Sequence, residues 1–162
     1  MPVTDVKHDP DNLTLTIVAD FAAPVGRIWE VYADARQLER VWGPPTYPAT
    51  FVDHSLEPGS RSTYFMTSPE GDKHAGFWDI TEVNEPKEFS FNDGFADLEF
   101  NPDPDMPVGR SIFSFAEHDG GTRATYVSIH ATAEELQQVL DMGMVEGMTS
   151  ALNQIDELVA AG

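Results

Sequence analysis

At the end of the run ATYVSIH, just before a helix-forming stretch, stands His130, the side chain best placed in this sequence for acid–base chemistry. An imidazole there could exchange a proton near neutrality, with the phenols of Tyr64 and Tyr126 as partners. A satisfied structural histidine is the other reading of the same position. His8, His54, His74 and His118 are scattered, with no i, i+4 pair and no HExxH spacing. The absence of cysteine removes thiolate nucleophiles, disulfides and Cys-ligated zinc, and no GxSxG elbow occurs. Asn101, Asp103 and Asp105 are spaced like the first ligands of a calcium loop, but Met106 replaces its glycine and Ile112 its final glutamate. Pro102, Pro104 and Pro107 make an extended, rigid loop the better account of that segment. Neither a metal nor a cofactor is expected.

The elements that would position these residues can be read from periodicity. DNLTLTIVADF (11–21) alternates as a half-buried strand. Pro24 then opens a helix to about Ala33, with Val25, Ile28, Trp29 and Tyr32 as its apolar stripe. A second short helix, DARQLERVW, ends at Gly43-Pro44-Pro45. Strands are predicted at 48–56, 61–67, 74–83, 87–92, 109–117 and 122–130, joined by short turns that favour an antiparallel meander. The connection 93–108, DGFADLEFNPDPDMPV, is too rich in proline to belong to the sheet. One long helix is expected from about Thr132 to Ala160, so the architecture is α+β with a helix covering a curved sheet.

That last helix contains Gly143 and Gly147, each costing about 1 kcal/mol relative to alanine. With Ala151 they form a seam of small residues that brings the backbone close to the sheet or leaves room between them. Met144 and Met148 flank it, and their flexible thioethers suit a wall that must adapt. Across from the helix, alternation directs Tyr64, Met66, Trp78, Ile80, Phe89, Phe91, Phe113, Phe115, Ala124, Tyr126, Ser128 and His130 inward. Such an aromatic face serves either as a core or as the lining of a small-molecule site. On the last strand Val127 and Ile129 are apolar too, and a one-residue slip would turn Tyr126 and His130 outward.

The 162 residues suit a single domain, and no apolar run is long enough to span a bilayer. The N-terminus lacks the order of a signal peptide, which makes the cytoplasm the expected compartment. Against 28 acidic residues stand nine Lys and Arg, a net charge of −19. A surface of that sign disfavours nucleic acid and anionic membranes as partners and keeps the protein soluble.

The order β-αα-β6-α, with WGPPTYPAT at 42–50, GFWDITEVNEPKEFSF at 76–91, DGFADLEFNPDPDMP at 93–107 and GMVEGMTSALNQIDELVA at 143–160, resembles the Hsp90-ATPase-activator homology proteins. These belong to the START-like superfamily of polyketide-cyclase-like, SRPBCC proteins. The resemblance implies the helix-grip (Bet v 1-like) fold: a curved antiparallel sheet around a long C-terminal helix, two short helices after the first strand, and a cavity between sheet and helix. Three functions remain open under it. One is binding of a small hydrophobic or aromatic molecule by a monomer or homodimer, through Trp42, Tyr64, Met66, Trp78, Phe89, Phe91, Phe95, Phe113, Phe115, Tyr126, His130, Gly143, Met144, Gly147 and Met148. Another is cyclase- or dehydratase-like catalysis with His130 or a tyrosine as acid or base. The third is partnership with an Hsp90-type ATPase.

Overall fold

The computed structural model describes residues 2–43, 46–106 and 108–160. A hairpin of β1 (Val3–Asp9) and β2 (Thr14–Phe21) comes first, followed by helices α1 (Val25–Ala33) and α2 (Ala35–Val41). Six strands follow: β3 (Ala49–Asp53), β4 (Arg61–Thr67), β5 (Lys73–Asn84), β6 (Glu88–Ala96), β7 (Gly109–His118) and β8 (Gly121–Ile129). Helices α3 (Ala133–Asp141) and α4 (Met144–Ala160) end the chain's described part. Among the described residues the strands form one antiparallel sheet in the order β1-β2-β8-β7-β6-β5-β4-β3. This is the α+β helix-grip arrangement, with three local departures from the sequence-based expectation.

The first departure is β1, so the two short helices follow the second strand rather than the first. Five of its seven residues are exposed, which is why no alternation announces it. Its pairing with β2 is set by the turn, where the Asp9 carboxylate accepts hydrogen bonds from the backbone N–H groups of Asp11 and Asn12. The second departure is β6, which continues through Asp93 to Ala96 and pairs with β5 along its length. Beyond it the loop turns on Asp97, whose carboxylate accepts from the backbone of Glu99 and Asn101. Pro44 and Pro45, expected to stop α2, lie outside the described residues, as does Pro107.

The third departure is the C-terminal helix, which is two helices. Gly143 adopts a left-handed φ of +84°. That conformation closes α3, where the N–H groups of Met142 and Gly143 turn back to the carbonyls of Gln138 and Leu140. The chain restarts at once, with Gly147 N–H bonding to the Gly143 carbonyl at 2.9 Å. Thr132 caps α3 by accepting from Glu135 N–H, and Glu134 and Glu135 sit favourably in its first turn.

Packing divides the inner face into a filled half and an open half. Over the filled half lies α1, whose Trp29 meets Phe89 edge-on at 5.6 Å while Tyr32 stacks on Phe115 at 5.5 Å. Leu152, Ile155 and Leu158 of α4 complete that core. The short α2 is fixed to the edge strand β3: Arg36 donates to the Phe51 carbonyl, and Phe51 N–H donates to Glu39. Gln154 of α4 donates to the carbonyls of Val41 and Gly43, which holds the end of α2 and the following Trp42 in place.

Within the core, the Tyr32 hydroxyl donates to the Tyr126 hydroxyl at 2.8 Å, and both rings are buried. Tyr126→Phe is expected to cost about 1–2 kcal/mol, because it strands a buried donor. The Tyr32→Phe, Tyr126→Phe double variant should be less destabilised than the sum of the single variants, as read by urea denaturation. Additive losses would show that the hydroxyl pair has no shared energy.

Candidate functional site

Toward the α3–α4 bend the inner face is open. Gly143 in the bend and Gly147 in the first half of α4 carry no side chain where the second half of α4 carries Leu152, Ile155 and Leu158, and a cavity of about 260 Å³ lies beside them. A Cβ on Gly147 would meet nothing within 4 Å, and one on Gly143 would meet only Glu146 Oε2 at 3.8 Å. Val139 of α3, Met142 in the bend, and Met144, Met148 and Ala151 of α4 form the rest of the helical wall, with Trp42 at the end of α2 beside them. The sheet contributes Tyr64 and Met66 from β4, Asp93, Gly94 and Phe95 from β6, Gly109 from β7, Ser128 from β8 and the following His130. A smaller void of about 40 Å³ shares Trp42, Asp93, Ser128 and both methionines, and reaches Phe91, Phe113 and Tyr126.

The polar groups converge around Gly109. A Cβ at that position would lie 3.4 Å from Asp93 Oδ1, 3.4 Å from His130 Nδ1 and 3.3 Å from His130 Cε1, so the carboxyl and the imidazole flank one point above this glycine. Asp93 continues the inward series Phe89, Phe91, Asp93, Phe95, which delivers a carboxyl to an otherwise apolar surface. Burial pushes its pKa up to about 7, opposed only by its own backbone N–H. The residue is half-buried and lines the cavity, and the protein packed around it disfavours its charged form. Among the described residues no Lys or Arg lines the cavity.

His130 is 7% exposed, with Nε2 at 3.2 Å from Ser128 Oγ and Nδ1 buried without a partner. Burial lowers its pKa, and Glu135 partly opposes this. The Tyr64 hydroxyl is pushed up by burial and then by the charge of Asp93. The indoles of Trp42 and Trp78 stand close enough to favour its anion, yet neither N–H reaches hydrogen-bond geometry.

The family model described as Activator of Hsp90 ATPase homolog 1-like protein matches residues 22–160, from the end of β2 to the end of α4. The chain belongs to that family. The crystal structure of protein Ms6760 from Mycobacterium smegmatis shares 67% identity and superposes with a TM-score of 0.93, over 99% of each chain. A solution structure of a protein from Arthrobacter aurescens shares 39% identity at a TM-score of 0.93, covering 99% of this chain and 93% of that one. DynU16, from the dynemicin biosynthetic locus, matches at 14% identity and a TM-score of 0.65, over 91% of this chain and 47% of that one, and shows a common fold alone. No curated protein matches the chain.

In this member of the Activator of Hsp90 ATPase homolog 1-like family, the residues singled out from sequence fall into three groups. Trp42, Tyr64, Met66, Phe95, His130, Gly143, Met144, Gly147 and Met148 line the larger cavity. Phe91, Phe113 and Tyr126 border the smaller void. Trp78, Phe89 and Phe115 line neither: α1 and the neighbouring rings cover them, as in the 4.3 Å stack of Trp78 on Phe91, and they are core. The order of inward residues on β8 is as read, with Tyr126, Ser128 and His130 all buried. Sequence reasoning missed Asp93, Gly94, Gly109, Val139 and Met142 as lining residues, and placed Ser128 and Ala151 toward the space between sheet and helix without assigning them to the site. Continuing the Phe89–Phe91 alternation by one step would have found Asp93.

Proposed function

We propose that the protein binds a small, mainly apolar molecule between the α3–α4 bend and the sheet. The observation that carries this reading is open volume beside Gly147, walled by adaptable methionines and aromatic rings with a few convergent polar groups. The family's fold is compatible with it, and among the described residues no helix is long and apolar enough to cross a membrane. Titration with the neutral fluorophore phenylnaphthylamine is expected to give saturable, blue-shifted emission at one site per chain. A linear, unsaturable rise would count against the site.

A second reading, proton transfer on a bound carbonyl compound, is favoured by one observation: Asp93, with a pKa of about 7, stands in the cavity near Tyr64. Its carboxylate would remove a proton next to the carbonyl while the phenol donates to the oxygen. Deuterium exchange into an enolisable ketone, lost in Asp93→Asn, would support this reading, and equal exchange in both proteins would reject it.

A further inference from the structure

The acceptors of this cavity lack a donor. Asp93 has no cationic side chain among the lining residues and makes no side-chain hydrogen bond among the described ones. His130 Nδ1, in a ring more than nine-tenths buried, is equally unpartnered among the described residues. When Nε2–H donates to Ser128 Oγ, Nδ1 keeps a free lone pair, and both Nδ1 and Asp93 Oδ1 lie 3.4 Å from the same point above Gly109. Buried acceptors without donors are costly, and two that converge at an apolar wall describe the complement of a donor-rich group.

The surroundings have the same sign. Asp141 and Glu146 flank the lining residues Met142 and Gly143, and the loop continuing from Phe95 carries Asp97, Glu99, Asp103 and Asp105. No Lys or Arg follows Arg123 in the sequence. Arg110, next to Gly109, is directed to the opposite face of β7 by strand alternation. A guest with a carboxylate or phosphate would enter against this field, whereas a cation would be drawn in.

We propose, building on the binding reading above, that the guest carries a protonated amine seated against the Asp93 carboxylate and His130 Nδ1, with its apolar body held among Met66, Met144 and Met148. The ammonium supplies the missing donors, and its charge favours the ionised form of Asp93, which burial alone disfavours.

Phenylbutylamine, phenylbutanol and phenylbutyrate share one apolar body and differ only in head group, so calorimetric titration of the whole chain at about pH 8, where the amine is charged, isolates the head-group preference. The amine is expected to bind at least about tenfold more tightly than the alcohol, and the carboxylate most weakly. In Asp93→Asn, an isosteric change, the amine's advantage should shrink to within about twofold while alcohol binding persists. Equal or tighter binding of the alcohol or the carboxylate by the unaltered protein overturns the inference, and needs no variant to fold. So does an amine preference that survives Asp93→Asn. Phenylnaphthylamine separates the two levels: if it binds and the amine shows no advantage, only the cationic guest is rejected, whereas if it does not bind, the cavity's binding role falls too.

Discussion

Gly147→Leu is expected to abolish phenylnaphthylamine binding while raising the melting temperature. Position 147 lies in α4, faces the cavity and has nothing within 4 Å of a would-be Cβ. Replacing glycine inside a helix removes a penalty of about 1 kcal/mol. A leucine directed into the cavity would also bury apolar surface now left beside empty space, adding about 1–2 kcal/mol. Together these should raise the melting temperature by several degrees, since about 1 kcal/mol moves a domain of this size by roughly 2–4 °C. The same side chain occupies the guest's volume, and affinity should fall by well over about tenfold. A variant destabilised by about 1–3 kcal/mol would report overpacking, and would mean that the space is not available.

Asp93→Asn should stabilise the protein at pH 8 and leave it nearly unchanged at pH 4. The carboxyl's pKa rises from 3.8 to about 7 on folding, so between those values the folded chain holds a proton that the unfolded chain has released. Stability from this group is therefore intact below about pH 4, declines as pH rises through the window, and is fully lost above about pH 7. Asparagine mimics the neutral carboxyl and escapes the loss, a gain on the order of 1–3 kcal/mol at pH 8 once the water that the cavity admits is allowed for. His54 and His130 act in the opposite sense: burial lowers both pKa values from 6.5, so their contribution is lost as pH falls below that value. The difference between variant and parent cancels these histidines. Urea denaturation of both proteins at the two pH values reads it directly, and a gap independent of pH would mean that Asp93 is not held neutral by the fold.

Strand faces were legible in the sequence because alternation is a local property: Tyr64 and Met66, Phe113 and Phe115, and Tyr126 to His130 all point where their spacing directs them. What covers each face was not legible. Phe89 and Phe115 share their side of the sheet with Phe91 and Phe113, yet α1 places Trp29 over the former pair, and no periodicity reports which helix lands where. Gly143 was legible as a small residue in a helical pattern but not as a left-handed stop, since the same residue type serves both purposes. Asp93 was hidden by chemistry rather than geometry. A carboxyl after two phenylalanines reads as the end of a buried strand, and only the continued pairing of β6 with β5 keeps it inside. The polar part of the site was thus harder to see than its apolar wall, because a buried charge contradicts the rule by which buried residues are recognised.

The ties between α2 and β3 have a bearing on how the protein behaves at high concentration. As the last strand of an open sheet, β3 could offer its free backbone edge as a template for another chain, the route by which exposed edges seed aggregates. At Phe51 both backbone groups are already engaged, the carbonyl by the Arg36 guanidinium and the N–H by the Glu39 carboxylate. An incoming strand would have to displace two charge-assisted hydrogen bonds and push aside a helix before its first rung could form. One arginine and one glutamate three residues apart on a two-turn helix thereby guard this margin of the sheet against templated growth.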